Sequence, residues 1–133
     1  MLYVKYFTIP KSTPVSSPVK GEVEIDGDML ERVYVLIPPG HYALAGLQIY
    51  YGELQIMPAN IGEWLRGDNV VVNCTLDLEL HDHPTKFVLK GYNEDERYDH
   101  TFYCYFVTRE VKRTAYSKAL RDVVQQIRRL IGL

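Results

Sequence analysis

The run VVVNCTLDLEL at residues 70–80 constrains the fold more than any other part of the sequence. Apolar and polar side chains alternate in it with a period of two, the spacing that separates the two faces of a β-strand. The pattern therefore predicts a strand that buries one face and shows the other to water. The predicted buried face carries Val70, Val72, Cys74, Leu76, Leu78 and Leu80.

Similar strand-like runs fill most of the first 111 residues, and turn residues interrupt them about every ten positions. We interpret Gly27 and Asp28 as the tight turn of a hairpin. We interpret residues 41–56 as one bent strand with bulges at Gly46 and Gly52. The pattern predicts an all-β fold, an antiparallel β-sandwich or jelly-roll-like barrel of about seven to eight strands.

The residues after position 111 change period. Tyr116, Leu120, Val123 and Ile127 recur at spacings of three and four, which places them on one face of an amphipathic α-helix. We therefore divide the chain into a β-sandwich domain at 1–111 and a basic amphipathic C-terminal helix at 112–133. We expect the apolar face to be buried against its own domain, against other copies of the chain, or against a membrane or another external partner.

Charge is distributed unevenly along the chain. Residues 1–108 hold 8 Lys and Arg against 15 Asp and Glu, whereas residues 109–133 hold 7 against 2. The acidic body is a poor nucleic-acid binder, but the basic tail suits an acidic protein face, an anionic membrane or nucleic acid. No stretch resembles a membrane span or a secretory signal, so we expect the chain to fold in a cytoplasm.

No motif indicates catalysis. The sequence has no GxSxG elbow and no glycine-rich nucleotide loop. Cys74 and Cys104 lack metal-like spacing, and we expect buried free thiols, with a disulfide as the alternative. His81 and His83 form an HxH pair, but zinc needs further ligands, so a polar turn is the simpler interpretation. We therefore expect no enzymatic activity, no metal, no cofactor and no small-molecule substrate.

The stretch GYNEDERYDHT at residues 91–101 concentrates acidic side chains. It does not match the calcium-loop pattern, because no glycine lies inside the acidic run. We predict an exposed hairpin turn in which Asn93 and Asp95 bond nearby backbone N–H groups and His100 bonds back across the turn. A weak cation site and a catalytic cluster are the alternatives.

The loop PANIGEWLRGDN contains the only tryptophan, Trp64, with Arg66 beside it. A loop tryptophan among polar residues can anchor a ligand. With Tyr50, Tyr51 and Tyr92 it predicts, as an alternative function, a small module that binds carbohydrate or another surface ligand by ring stacking. The competing interpretation is that Trp64 folds back and plugs one end of the sandwich.

The eleven tyrosines exceed what a chain of this length needs. Tyrosine joins a large apolar ring to a polar tip, so it suits surfaces that are covered part of the time. Strand propensity explains the same surplus equally well, since tyrosine fits a half-buried pleated surface.

Three segments carry a resemblance: residues 11–58 (KSTPVSSP to QIMP), GEWLRGDN, and FVLKGYNEDERYDHTFYCYFV. Their order resembles small β-sandwich proteins encoded by bacterial and archaeal viruses, over most of residues 7–107. The resemblance implies structural or attachment work in virions and no catalytic residues. We accordingly expect a non-enzymatic capsid or capsid-associated component of the virion, assembled in the host cytoplasm, that associates with itself and with other virion proteins. The basic helix lies outside the resemblance.

Overall fold

The computed structural model describes residues 1–111 and 115–132, except for the side chains of residues 115–119. It contains eight strands followed by one helix. They are β1 (Leu2–Ile9), β2 (Val19–Ile25), β3 (Met29–Ile37), β4 (Ala45–Tyr51), β5 (Leu54–Met57), β6 (Val70–Glu79), β7 (Thr85–Asn93), β8 (His100–Arg109) and α1 (Ala115–Leu130).

The strands form two antiparallel four-stranded sheets. The first sheet has the order β1-β8-β3-β6, and the second sheet has the order β2-β7-β4-β5. Successive strands alternate between the sheets everywhere except at β4 and β5. Eight strands wound in this way across two sheets make a jelly roll. The predicted all-β sandwich with a C-terminal helix is confirmed.

Two predicted hairpins are wrong. β2 pairs with β7, whereas β3 pairs with β6 and β8, so Gly27 and Asp28 lie at a corner between the sheets. Residues 94–99 likewise join β7 in the second sheet to β8 in the first. A hairpin and an inter-sheet corner carry the same local turn residues. The choice between them depends on pairing with strands that are distant in sequence.

The predicted bent strand at residues 41–56 is also wrong, because it is two paired strands. Gly52 has a φ of 59° in the turn between β4 and β5, a conformation that favours glycine. Gly46 is a regular strand position opposite Tyr92, and a Cβ there would lie 2.2 Å from the Tyr92 ring. The irregularity in the ladder falls instead between Ile49 and Tyr50.

The core fills the space between the inner faces of the two sheets. In β6 the predicted alternation is present, although Val70 at its start is 40% exposed. The fully buried large side chains are apolar apart from His41, as expected for two sheets packed face to face. They are Phe87, Phe102, Phe106, Ile9, Ile25, Leu30, Ile37, Leu47, Ile49, Leu80, Leu89 and His41.

Two leucines on neighbouring strands test this core. Leu47 of β4 is fully buried, whereas Leu54 of β5 is 53% exposed. We expect Leu47→Ala to lower the free energy of unfolding by about 2–5 kcal/mol, because it leaves a cavity between the sheets. Leu54→Ala should cost about 1 kcal/mol or less. Urea unfolding of both variants measures the difference, and equal losses would contradict the inter-sheet core.

Candidate functional site

The central part of the outer face of the first sheet is almost free of charge, whereas Glu31, Asp77, Glu79 and Arg109 lie at one end of it. Three rows of side chains cross it, taken from β1, β8, β3 and β6 in that order, and together they form what we call the tyrosine face. Arg32 is the one charged side chain among them. The rows are Tyr6, Tyr103, Leu36 and Val71; Val4, Tyr105, Tyr34 and Asn73; and Leu2, Val107, Arg32 and Thr75.

The rings on the tyrosine face pack against one another. Tyr34 and Tyr105 stack with centroids 4.7 Å apart, and Tyr6 meets Tyr103 edge to face at 5.0 Å. Loss of hydration among these rings raises the pKa of Tyr105. The face nevertheless remains open to solvent, since Tyr6 is 61% exposed and Leu2 is 55% exposed. Outer sheet faces are normally polar, so this surface has the composition of an interface core.

The sequence predicted tyrosine-rich surfaces that are covered part of the time, but it did not locate the tyrosine face. The signal was present, because β1 and β8 carry apolar or aromatic residues at both parities of their alternation. A strand that is apolar on both faces lies between two layers. Here the second sheet covers the inner side of β1 and β8, and nothing in the described chain covers their outer side.

The helix α1 exposes its apolar stripe, and its polar side lies nearest the body. Between residues 120 and 132, only Arg121 and Gln125 are partly buried. The Arg121 guanidinium pairs with the Glu79 carboxylate at 2.6 Å, at the end of β6. The exposed apolar side chains, which we call the helix stripe, are Leu120, Val123, Val124, Ile127, Leu130 and Ile131.

Packing of the apolar helix face on its own domain, the first of the three predicted coverings, is therefore wrong for the residues that the structure describes, whereas burial against another copy or an external partner stays a prediction. Leu120, Val123 and Ile127 are each 51–53% exposed, and the Tyr116 side chain lies outside the described residues. The physical reason is the Arg121–Glu79 ion pair, which directs the polar side of the helix toward the β6–β7 corner. The stripe consequently faces away from the domain.

The loop around Trp64 covers β4 and the end of β7 on the outer face of the second sheet. Trp64 is half-buried and meets the buried Tyr92 edge to face, with centroids 4.8 Å apart. Burial raises the pKa of Tyr92, and the nearby charge of exposed Arg66 acts in the opposite direction. Trp64 therefore packs on a sheet face and does not plug an end of the sandwich.

The other predicted stacking rings are engaged in internal contacts. Tyr51 points into the core, where it stacks on Phe87 at 5.4 Å. Tyr50 donates its hydroxyl proton to Gln48 at 2.9 Å, and the Lys90 ammonium lies 4.5 Å from its ring centroid. Trp64 and Tyr50 remain partly exposed, so the structure does not gather Trp64, Tyr50, Tyr51 and Tyr92 into one open platform.

The same loop is held down by buried amides. Gln48 donates to the Glu63 carbonyl at 2.9 Å, and Gln55 donates to the Pro58 carbonyl at 2.6 Å. Both glutamines are buried. Hydrogen bonds of this kind satisfy a loop backbone that would otherwise be desolvated without partners. The chain thus covers the more apolar part of the outer face of its second sheet and leaves the outer face of its first sheet open.

The polar stretch at residues 91–101 forms a corner built on Asn93, which is completely buried. Its amide nitrogen donates to the carbonyls of Ile9 and Tyr98 at 3.2 and 3.0 Å, and its Oδ1 accepts from the Asp95 N–H at 2.9 Å. Its backbone also exchanges two hydrogen bonds with Thr13. Asn93 thereby connects the chain between β1 and β2 to the chain between β7 and β8.

Asp95 continues this corner. Its Oδ1 accepts from the backbone N–H of Arg97, and this bond contributes most to lowering the pKa of the Asp95 carboxyl. Its Oδ2 lies 2.8 Å from His100 Nε2, so the bond back from His100 is present as predicted. These acidic and amide oxygens are occupied by backbone and imidazole donors.

Removing the Asn93 side chain tests the corner. Asn93→Ala removes the donor to the buried Ile9 carbonyl, the donor to the partly buried Tyr98 carbonyl and the acceptor of the Asp95 N–H, so we expect the free energy of unfolding to fall by about 2–4 kcal/mol. Glu96, three residues on, is exposed, and Glu96→Ala should change stability by about 0.5 kcal/mol or less. Denaturant unfolding of the two variants gives the comparison. Equal losses in the free energy of unfolding for both variants would show that the Asn93 hydrogen bonds do not stabilise the corner.

His41 lies beneath the corner and is 1% exposed. Its Nε2 lies 3.0 Å from the Thr101 carbonyl, and its ring packs on His100 with centroids 4.5 Å apart. Its Nδ1 has no hydrogen-bond partner in the part of the chain that the structure describes. Burial lowers the pKa of His41, the charge of nearby His100 lowers it further, and Asp68 acts weakly in the opposite sense.

This lowered pKa predicts a loss of stability in mild acid. The unfolded chain, with a histidine pKa near 6.5, binds the proton more tightly than the folded one. The stability that neutral His41 contributes to the folded state is therefore complete above about pH 6.5. It falls as the pH drops toward the lowered pKa of folded His41, by at most about 1.4 kcal/mol per pH unit. Urea unfolding at about pH 7.5 and about pH 5.5 should show a larger loss for the wild type than for His41→Gln. Identical pH dependence of the free energy of unfolding in the two proteins would show that His41 does not cause the loss of stability in acid.

The remaining predicted sites have structural contacts. His83 Nδ1 lies 2.9 Å from Asp26 Oδ1 across the β2 and β7 ends, while His81 borders the helix. Cys74 and Cys104 are free, because β3 separates the strands that carry them; Cys104 is buried as predicted, whereas Cys74 on β6 is only partly buried. Burial raises the pKa of Cys104 to about 12, so its thiol stays protonated.

The described residues contain neither a candidate membrane-spanning helix nor a candidate metal site. No helix among them is long and apolar enough to cross a membrane. None of their His, Cys, Asp and Glu side chains form a group of three or more that could hold a metal ion.

Comparison with known proteins adds one structural similarity. No protein-family model matches the chain, and no curated protein matches it. One similar solved structure is the crystal structure of the infectious bursal disease virus VP2 subviral particle, at 12% sequence identity and a TM-score of 0.40. The match covers 81% of this chain and 32% of that chain, so this chain spans about a third of its length. The fold assignment rests on the strand order described above.

Proposed function

We propose that this chain is a non-enzymatic structural protein that assembles with copies of itself, as a component of a virion. The observation that carries the proposal is the pair of uncovered apolar surfaces, the tyrosine face and the helix stripe. Each is contiguous and rich in large side chains, and surfaces of that kind mark sites of protein association.

The contrast between the two sheets supports this interpretation. The Trp64 loop covers β4 and the end of β7 on the outer face of the second sheet, with bonds from Gln48 and Gln55, and the exposed remainder of that face is charged. The first sheet has no such cover within the described chain, although its outer face is the more apolar of the two. An uncovered face of this composition is stabilised when another molecule removes it from water.

Charge supports self-association in particular. The body carries the excess of acidic residues, and the C-terminal residues 109–133 carry the excess of basic ones. A second copy therefore presents an oppositely charged surface to the tail of the first, which favours encounter and orientation. The proposed partners of the tail are accordingly acidic protein surfaces, first of all those of other copies.

The proposal that the assembly is a virion goes beyond self-association, and it rests on analogy at the level of the fold. Jelly rolls occur in viral capsids, and they also occur in lectin domains and cupins. Fold alone does not identify function. The lectin-like alternative would depend on Trp64, whose ring packs on Tyr92 and whose predicted aromatic companions are engaged elsewhere.

The mass of the full chain in solution tests the proposal. We expect sedimentation equilibrium to show an oligomer whose population grows with concentration. Ile127→Glu places a carboxylate in the helix stripe and should weaken association about tenfold or more, because burial of the charge opposes the interface. Gln126→Glu adds the same charge at the adjacent exposed position and serves as the matched control.

One result would contradict the proposal, and a second would restrict which surface carries it. A wild-type chain that stays monomeric at every soluble concentration lacks the association on which it depends. Equal behaviour of Ile127→Glu and Gln126→Glu, with the wild type oligomeric, would remove the helix stripe from the interface.

A further inference from the structure

We propose that the helix stripe of one copy packs on the tyrosine face of a second copy. The inference rests on the self-association proposed above and specifies which surfaces meet. Both surfaces are on the same chain, and neither has a partner among the described residues. Exchange of the helix between copies is the single contact that covers both.

The alternative pairings leave apolar area exposed. Two tyrosine faces packed together would leave two helix stripes in water. Two helices packed together would leave two tyrosine faces in water. Helix on sheet is also one of the standard layer arrangements of protein domains, because the apolar stripe of a helix and the apolar face of a sheet are complementary.

The dimensions of the two surfaces agree. With strands about 4.8 Å apart and alternate residues about 6.8 Å apart, the tyrosine face extends over roughly 14 Å by 14 Å. The helix has 16 residues and is therefore about 24 Å long. It can cross the whole face with its stripe in contact, so that branched aliphatic side chains of the helix meet aromatic rings of the sheet.

The helix does not cover the face of its own chain. Arg121 pairs with Glu79 at the end of β6, and Gln125 is the other partly buried residue, so the polar side lies against the body. Val123 and Ile127 are about half exposed on the other side. The stripe is thus turned away from its own domain and toward whatever molecule lies beside it.

The charges beside the two surfaces are already engaged within the chain. Arg128 and Arg129 line a cleft with His81 and Asp82 of their own domain. Asp77 lies on the outer side of β6 at the margin of the tyrosine face, with its side chain 80% exposed and the Arg109 guanidinium 3.7 Å away. The proposed contact therefore rests on apolar burial, and the charge-poor rows of the face receive the stripe.

The contact is heterologous, because different surfaces of the two copies meet. Such a contact closes as a reciprocal dimer or a ring, or it continues as an open array. It also makes a specific prediction about mixtures, since one chain can be defective in its helix and another in its face.

The test uses two full-length variants. Ile127→Glu disables the helix stripe, and Val4→Glu disables the tyrosine face at a position 43% exposed. The same substitution on the outer side of the second sheet, Val88→Glu, is the matched control. Circular dichroism and thermal melting establish that each variant is folded. Should Val4→Glu unfold, Tyr6→Ser at a 61% exposed position takes its place.

We expect each variant alone to need at least tenfold more protein for half-association than the wild type, and Val88→Glu to behave as the wild type. A one-to-one mixture of Ile127→Glu and Val4→Glu should associate at least tenfold better than either variant alone. In that mixture the intact helix of the Val4→Glu chain meets the intact face of the Ile127→Glu chain. Fluorescence-detected sedimentation with one variant labelled measures the mixed species.

The other outcomes each overturn the exchange. If Val4→Glu associates like the wild type, helices pair with helices; if Ile127→Glu does so, faces pair with faces. If both variants weaken association and the mixture gives no recovery, the two surfaces form separate symmetric contacts. In these three cases the wild type still assembles and the proposed function stands. A monomeric wild type instead removes the proposed function, and the exchange with it.

Discussion

Packing between the inner faces of the two sheets holds the rest of the molecule in place. Six of the seven connections between strands pass from one sheet to the other. Most strands therefore find their partners far away in sequence, as Leu2 of β1 does with Val107 of β8. The corners at Gly27 and Asn93 are stable only because the sheets they join are already packed. Such long-range pairing forms late in folding relative to local structure, since loop-closure entropy opposes it.

The outer faces of the two sheets differ in cover and in composition. Buried glutamines and Trp64 hold a loop over β4 and the end of β7, and charged side chains occupy the exposed β2 side of the second sheet. The first sheet keeps aromatic rows open to solvent. The helix could have covered these rows, but Arg121 pairs with Glu79 and the apolar side of the helix lies outward. In this arrangement the apolar surface of the helix is buried only by contact between chains.

How much of this was predictable from the sequence depends on the range of the interaction. The alternation in residues 70–80 and the helical period after residue 115 are local, and both elements exist. Asn93, Asp95 and His100 bond nearby groups much as their side-chain chemistry suggests. The hairpins at Gly27 and at residues 94–99 were wrong because a turn does not encode which sheet receives the next strand. The orientation of the helix depends on Glu79, about forty residues earlier, and no periodicity within the helix reveals it.

The composition of the tyrosine face sets a balance between solubility and association. Leucine or phenylalanine in the same rows would expose a larger apolar area and favour indiscriminate aggregation. Tyrosine retains a hydrated hydroxyl, and the stacking of Tyr34 on Tyr105 already removes part of each ring from water in the single chain. The edge strand β1 also places Lys5 on its inner side, level with Cys104, and an inward-pointing charge at an edge discourages unwanted strand pairing. Association through the face is therefore directed to side-chain packing, while extension of the sheet by hydrogen bonding is disfavoured.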